Sequence, residues 1–215
     1  MKLGIFVPGR LNSQRLPNKL ILPIGDSCLW DIALKKLSNL PYEKVALCND
    51  KQLIDTASKY DNIDIIVRSD DTKIDGKLNH IFRDIDKMKA THVMFFNPCL
   101  PFLEEATITL ALKYFEARNL EYLESVVPFR NWVFDENGRP VNKMDYTTLS
   151  TKTIKTWYMD ANAFRIFNKK QFLETGKMLD DGFGIYPITK MESFDIDTKE
   201  DYIIVKAIYE GVYHE

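Results

Sequence analysis

Leu3-Gly4-Ile5-Phe6-Val7, running into Pro8-Gly9-Arg10-Leu11-Asn12-Ser13-Gln14-Arg15-Leu16-Pro17-Asn18-Lys19, is the stretch that decides the fold. A short, continuous apolar run that stops at Pro-Gly reads as a strand buried on both faces. The next ten residues carry three cations, Arg10, Arg15 and Lys19, among small polar side chains. A buried first strand opening into such a loop reads as the start of an open, mostly parallel sheet. Ligands of such sheets sit beyond the carboxyl ends of the strands. Gly9 permits close backbone approach, while Asn12, Ser13 and free N–H groups can donate to phosphate oxygens. Arg10 and Arg15 offer planar forks, and Lys19 is a compact point charge. Cations so close repel one another unless an anion lies between them, so the loop is expected to hold a polyanion.

Outward from this loop, strand and helix signals alternate. Leu20–Ile24 reads as a short extended piece, Leu29–Leu40 as an amphipathic helix and Lys44–Cys48 as a second main strand. Helix 52–60, strand 63–67, helix 75–88, strand His92–Phe96, helix 102–117 and strand 124–127 continue the rhythm. It changes after Pro128. Residues 129–156 read as an arm or insertion, with a hairpin at Asn137-Gly138. Strand 163–167, helix 169–174, extended residues 182–188, strand 194–197 and helix 199–209 close the chain. The expected fold is one three-layer α/β, Rossmann-like domain over residues 1–215, with a small arm.

The bulk composition sets outer limits. The 215 residues carry 29 basic and 31 acidic side chains, for a net charge of −2. That balance leaves no electrostatic footprint for nucleic acid, so any anion site is local. Cys28, Cys48 and Cys99 are widely spaced and include no CxxC pair, which fits a reducing cytoplasm and neither a disulfide scaffold nor a zinc site. His80, His92 and His214 are scattered and read as structural. No apolar run reaches the ~18 residues of a membrane span.

Asp195-Ile196-Asp197 is the second chemical signal. In an extended segment, side chains two apart share a face. Two carboxylates that close are costly unless a cation or a proton relieves them. Mg²⁺ held by one or two carboxylates plus substrate phosphates fits such a pair, although a solvated strand end is the plain alternative. Thr198-Lys199-Glu200-Asp201 has the form of a helix start, which gives Asp201 a structural role.

Both signals carry a resemblance. The run Pro8–Leu20 resembles the N-terminal signature of the cytidylyltransferases that activate acidic sugars, the acylneuraminate and Kdo type, with Gly9 in place of their usual alanine. Phe194–Tyr202 resembles that family's Ile-Asp-Ile-Asp-Thr-x-x-Asp-Leu closing motif. The resemblance implies that Gly9, Leu11, Asn12 and Ser13 contact CTP. It makes Arg10, Arg15 and Lys19 the catalytic cations at the phosphates, and Asp195 and Asp197 the ligands of Mg²⁺. Ala46–Asp50 is similar to the family's Ser-Thr-Asp-Asp segment, with Cys48-Asn49 replacing Ser-Thr, which implies a nucleotide role for Asp50. Arg68 falls where the family has an arginine near the base.

The centre of the chain resembles the family more loosely. Asn97-Pro98-Cys99-Leu100-Pro101 is similar to the Gln/Asn-Pro-Thr-Ser-Pro of the sialic-acid branch, which puts Asn97 at the nucleotide. The Asp-Glu-Pro of the Kdo branch is missing, which argues against Kdo. Tyr158–Phe167 resembles the strand lining the sugar pocket, implying that Asp160 and Asn162 meet the acceptor. In place of that branch's carboxylate-gripping arginine stand Lys152 and Lys155.

The implied reaction is transfer of CMP from CTP to an acidic, nonulosonic-acid-like sugar or related acceptor, with release of pyrophosphate, for cell-surface glycans. The family's arm implies a homodimer. Two other readings compete. A metal-dependent glycosyltransferase also uses Asp-x-Asp, usually after a middle strand. A non-catalytic nucleotide binder is expected to have lost a carboxylate or a loop cation, and this sequence has lost neither.

Overall fold

The computed structural model describes residues 1–69, 77–142, 147, 150–152 and 154–213. Strand β1 (Leu3–Pro8) is its axis. Ile5 and Val7 point into one core and Phe6 into the other, and all three are fully buried. This is why the run shows no polar alternation: a central strand in a parallel sheet is covered on both faces. Around Phe6 stand Phe82, Phe95 and Phe167, with ring centroids 5.4, 5.8 and 6.3 Å away in edge-on contacts. Burying a side chain of this size contributes about 2 kcal/mol.

The chain continues through β2 (Pro23–Ile24) and β3 (Ser27–Cys28), a small antiparallel pair, into α1 (Leu29–Ser38). Then come β4 (Glu43–Cys48), α2 (Lys51–Ala57), β5 (Asp64–Val67), α3 (Leu78–Ile81) and β6 (His92–Phe96). After α4 (Glu105–Ala117) follow β7 (Tyr122–Phe129), β8 (Trp157–Asn168), α5 (Lys169–Thr175), β9 (Gly184–Pro187) and α6 (Lys199–Tyr213). Seven strands form one sheet in the order β5-β4-β1-β6-β8-β7-β9. Only β8 runs against the others; it pairs antiparallel with both β6 and β7. Helices α1, α2, α4 and α6 cover one face, and α3 and α5 the other. The expected three-layer, mostly parallel α/β architecture is the one observed. No helix among the described residues is long and apolar enough to cross a membrane.

Four local expectations differ from the structure. Leu20–Ile24 is not one extended piece but a 3-10 turn at Lys19–Ile21 followed by β2. The helix expected over 75–88 breaks at Phe82 into α3 and a 3-10 segment, Arg83–Lys87, because Phe82 and Ile85 both turn in against Phe6 and its neighbours. Its first expected turn, at 75–76, lies outside the described residues, as does His214. Residues 194–197 form no ladder: Ile196 is buried and gives one backbone bond to Cys99 O at 3.1 Å. Strand β8 runs to twelve residues, its first half beyond the end of β6 and paired only with β7. The segment 130–156 is the connection between β7 and β8, and within it Phe134 bridges Pro140 around Gly138.

Candidate active site

β1 does not stop cleanly at Pro8. Gly9 N–H donates to Leu47 O at 3.0 Å, which carries the chain one residue past the strand. A Cβ on Gly9 would lie 2.9 Å from the Trp30 ring and from Leu53 Cδ1. The missing side chain therefore makes room for a buried tryptophan as well as leaving the backbone bare toward the cleft. Trp30 is fixed in turn by Nε1–H donating to Leu53 O at 3.0 Å.

Beyond Gly9 the loop is held by its own backbone. Leu11 N–H reaches Asp50 Oδ2 at 3.1 Å, and Leu11 O accepts from Ser13 and Asn18, both at 2.9 Å. Asn18 takes a left-handed conformation, φ 59°, which swings the chain into the 3-10 turn carrying Lys19. Asparagine tolerates that conformation better than most residues.

The loop's cations meet the C-terminal carboxylates, 178 residues away along the chain. Lys19 Nζ lies 2.9 Å from Asp197 Oδ1 and 2.9 Å from Ile196 O. Arg15 Nη2 reaches the same Asp197 oxygen at 2.9 Å. Burial pulls the Lys19 pKa down, but the acidic groups around it, Cys99, Asp197 and Asp195, leave it raised overall. Asp195 is raised as well, by burial first and by Asp197 next. Its Oδ2 accepts from the side-chain amides of Asn97 (3.1 Å) and Asn162 (3.4 Å). Its Oδ1 is enclosed and has no hydrogen-bond partner. A buried carboxylate oxygen left bare is expensive unless a cation takes it.

On the far side of the cleft, buried Arg68 bonds Ile81 O through Nη2 at 3.5 Å. Its pKa is lowered, by burial first and then by Arg10. Asp84, Cys48 and Asp50 offset part of that shift, and Arg10 and Arg68 line the same cleft.

These elements enclose about 640 Å³. Of the residues expected from sequence, Gly9, Arg10, Asn12, Ser13, Arg15, Lys19, Arg68, Asn97, Asn162, Asp195 and Asp197 line this space. Leu11 and Asp50 do not line it; Asp50 holds the loop through the Leu11 N–H. Lys155 and Asp160 line a second cleft of about 590 Å³, with Trp157, Tyr158, Phe183 and Arg165. The two clefts adjoin, because Phe95 in the first pairs across the β6–β8 ladder with Arg165 in the second. Lys152 is exposed and lines neither.

Sequence reasoning missed three features here. Cys99 sits on the cleft floor, its thiol pushed up to about 12, chiefly by burial. Leu78, Ile81, Phe82 and Phe95 make an apolar wall. Arg165 pairs with both Glu124 and Asp160, and burial raises the Glu124 carboxyl in spite of that partner. The available signal was Arg165 itself, a lone charge inside Ala163-Phe164-Arg165-Ile166-Phe167.

Comparison with known proteins bears on this arrangement. No curated protein matches the chain. Among solved structures, a CMP:2-keto-3-deoxy-manno-octonic acid synthetase complexed with CTP superposes with a TM-score of 0.72 at 11% identity, over 98% of this chain and 99% of that one. A 4-diphosphocytidyl-2C-methyl-D-erythritol synthase from Anaerococcus prevotii gives 0.69 at 15% identity, over 97% and 96%. A cytidylyltransferase from Leptospira borgpetersenii serovar Hardjo-bovis gives 0.60 at 18%, over 96% and 86%. At such identities the likeness shows the fold, and it does not single out the sialic-acid branch. A family model described as cytidylyltransferase matches residues 5–213, which is nearly the whole chain, and with the basic loop and the carboxylate pair facing each other inside that span, the chain belongs to the cytidylyltransferase family.

Proposed function

We propose that this chain transfers CMP from CTP to a hydroxyl of an acidic, nonulosonic-acid-like sugar or related acceptor, with Mg²⁺, and releases pyrophosphate. The observation that carries the reading is the split of roles between the two aspartates. Asp197 already neutralises Arg15 and Lys19, while Asp195, which lines the same cleft, keeps an enclosed Oδ1 without a hydrogen-bond partner.

The donor set fits the ion. Two carboxylates are what Mg²⁺ takes from a protein when phosphates and waters supply the rest, and a bare, buried carboxylate oxygen suits a hard cation. When bound, Mg²⁺ would polarise the α-phosphate and draw charge from the acceptor oxygen. The chain's own residues do the remainder. Arg15 and Lys19 exchange Asp197 for phosphate oxygens, so the loop loses no counter-charge as the triphosphate enters. Arg10 and Arg68, which line the same cleft, receive a further anionic group, or the base against the apolar wall. Backbone N–H groups of the loop, with Asn12 and Ser13, hold the leaving pyrophosphate. The chemistry is alignment and charge neutralisation, with no covalent step on the protein. On the β8 side, Asp160 and Lys155 supply polar contacts to the acceptor, with Lys152 at the edge. The exposed run Trp157, Tyr158 and Met159, continuous with the 129–156 arm, supports a homodimer contact.

Pyrophosphate release, assayed with each of the four nucleoside triphosphates against a panel of acidic sugars, tests the proposal. Release is expected only with CTP, Mg²⁺ and an acceptor together. Tight nucleotide binding with no release from any acceptor overturns the catalytic reading. Turnover of a nucleotide-sugar donor instead points to a glycosyltransferase.

A further inference from the structure

We infer that Asn162 is a positioning residue for Asp195, and that the irregular turn of β8 exists to hold it there. The inference rests on the proposed role of Asp195 as a ligand of the ion. The β7–β8 ladder breaks between Glu124 and Val126: Glu124 pairs with Arg165, while Val126 pairs with Asp160. Four residues, 161–164, therefore stand opposite Ser125 alone. Ser125, fully buried, closes the gap by accepting the N–H groups of Ala163 (3.1 Å) and Phe164 (3.0 Å) on its hydroxyl. Such bulges re-aim a side chain.

The re-aimed residue is Asn162, in the left-handed region at φ 49°. Its N–H donates to Asp160 Oδ1 at 2.6 Å, and Arg165 Nη1 reaches its Oδ1 at 3.5 Å. Arg165 also grips Asp160 and the buried Glu124, so both partners of Asn162 are fixed from the second cleft.

Asn162 controls both donors to Asp195. Its own Nδ2 reaches Oδ2 at 3.4 Å. Its backbone oxygen accepts from Asn97 Nδ2 at 2.9 Å, and that same amide gives its other hydrogen to Asp195 Oδ2 at 3.1 Å. Asn97 Oδ1 is taken by Cys99 N–H at 3.0 Å, which fixes the amide's sense. With both donors on Oδ2, the carboxylate has one orientation, and Oδ1 is the oxygen left without a partner. Orienting partners of this kind tune an ion's binding by about 10- to 100-fold.

The test is Asn162→Gly, which keeps the left-handed backbone and removes the amide, with Asn162→Asp as a second variant that keeps the size. The crystal structure of each free variant is expected to show the Asp195 carboxylate rotated or in two rotamers. Mn²⁺ affinity of the CTP-bound protein, read by electron paramagnetic resonance, is expected to fall about tenfold or more, and CTP affinity without metal to change less than twofold. An unchanged single Asp195 rotamer in Asn162→Gly overturns the inference, as does wild-type Mn²⁺ affinity. Failure of the wild-type protein to bind Mn²⁺ with CTP would instead sink the proposed metal reading, and the Asp195 rotamer still decides this one.

Discussion

At Gly9 the missing side chain matters on the side away from the ligand. Alanine there would push its methyl against the Trp30 ring, which is fully buried and bonded to Leu53, so little can yield. Gly9→Ala is expected to lower stability by about 1–3 kcal/mol, measured by urea denaturation. The Asp pair behaves differently. Asp197 is half-buried and paired with two cations, so Asp197→Asn keeps the shape but strips their counter-charge. Metal-dependent turnover is expected to vanish while the far-UV circular dichroism is unchanged; retained turnover would place the metal elsewhere. That Arg10, Arg15, Lys19, Asp195 and Asp197 share one cleft was legible in the sequence, because they are charges clustered in stretches that no core period explains. Arg165 was not legible. Glu124 faces it through the cross-strand register and Asp160 reaches it around the irregular turn within β8, and local patterning encodes neither. Asp50 was readable as a nucleotide contact, and its carboxylate also holds the loop's Leu11 N–H.

Helix α6 begins with a reciprocal cap. Thr198 Oγ1 accepts from Asp201 N–H at 3.2 Å, while Asp201 Oδ2 accepts from the Thr198 hydroxyl (2.8 Å) and from the Thr198 (2.7 Å) and Asp197 (3.1 Å) N–H groups. Slight burial pushes the Asp201 pKa up, but these hydrogen bonds outweigh it and hold it below 3.8. The folded value is thus lower than the unfolded one, so the stabilisation is present above 3.8 and fades as pH falls through the folded value. Asp201→Ala is expected to cost about 1 kcal/mol near neutrality. In chemical denaturation its deficit against wild type should shrink below pH 3.8, and a deficit independent of pH would show that the carboxylate is not the source. Because the cap also fixes Asp197 N–H, the variant should weaken nucleotide binding too. Among the elements, β1, β4, β6 and α1 were legible because both faces of each strand, or one face of the helix, are buried. The first half of β8 was not. Residues 157–160 are exposed, and no core imposes a pattern on them. Nor was the break at Phe82, since Leu78, Ile81, Phe82 and Ile85 carry a helix period that only the packing around Phe6 overrides.

The whole molecule closes on itself through its site. Besides the Lys19–Asp197 contact, Tyr202 hydroxyl donates to Pro23 O at 2.6 Å, and Gly25 N–H donates to Glu210 Oε1 at 3.2 Å. A ligand bridging loop and carboxylates therefore ties the two ends of the chain. CTP with Mg²⁺ at about 100 times its Kd is expected to add about 2.7 kcal/mol to the unfolding free energy, seen as a rise in Tm. Hydrogen exchange at Ile196, which bonds Cys99 O, should slow in the same titration. Lys19→Ala should lose most of both effects. The same closure has a consequence for synthesis. At roughly 5–20 residues per second, the partner of Lys19, 178 residues downstream, leaves the ribosome roughly 10–35 s after the loop does. Through that interval the nascent chain carries a loop, residues 8–19, with three cations and no acidic side chain of its own.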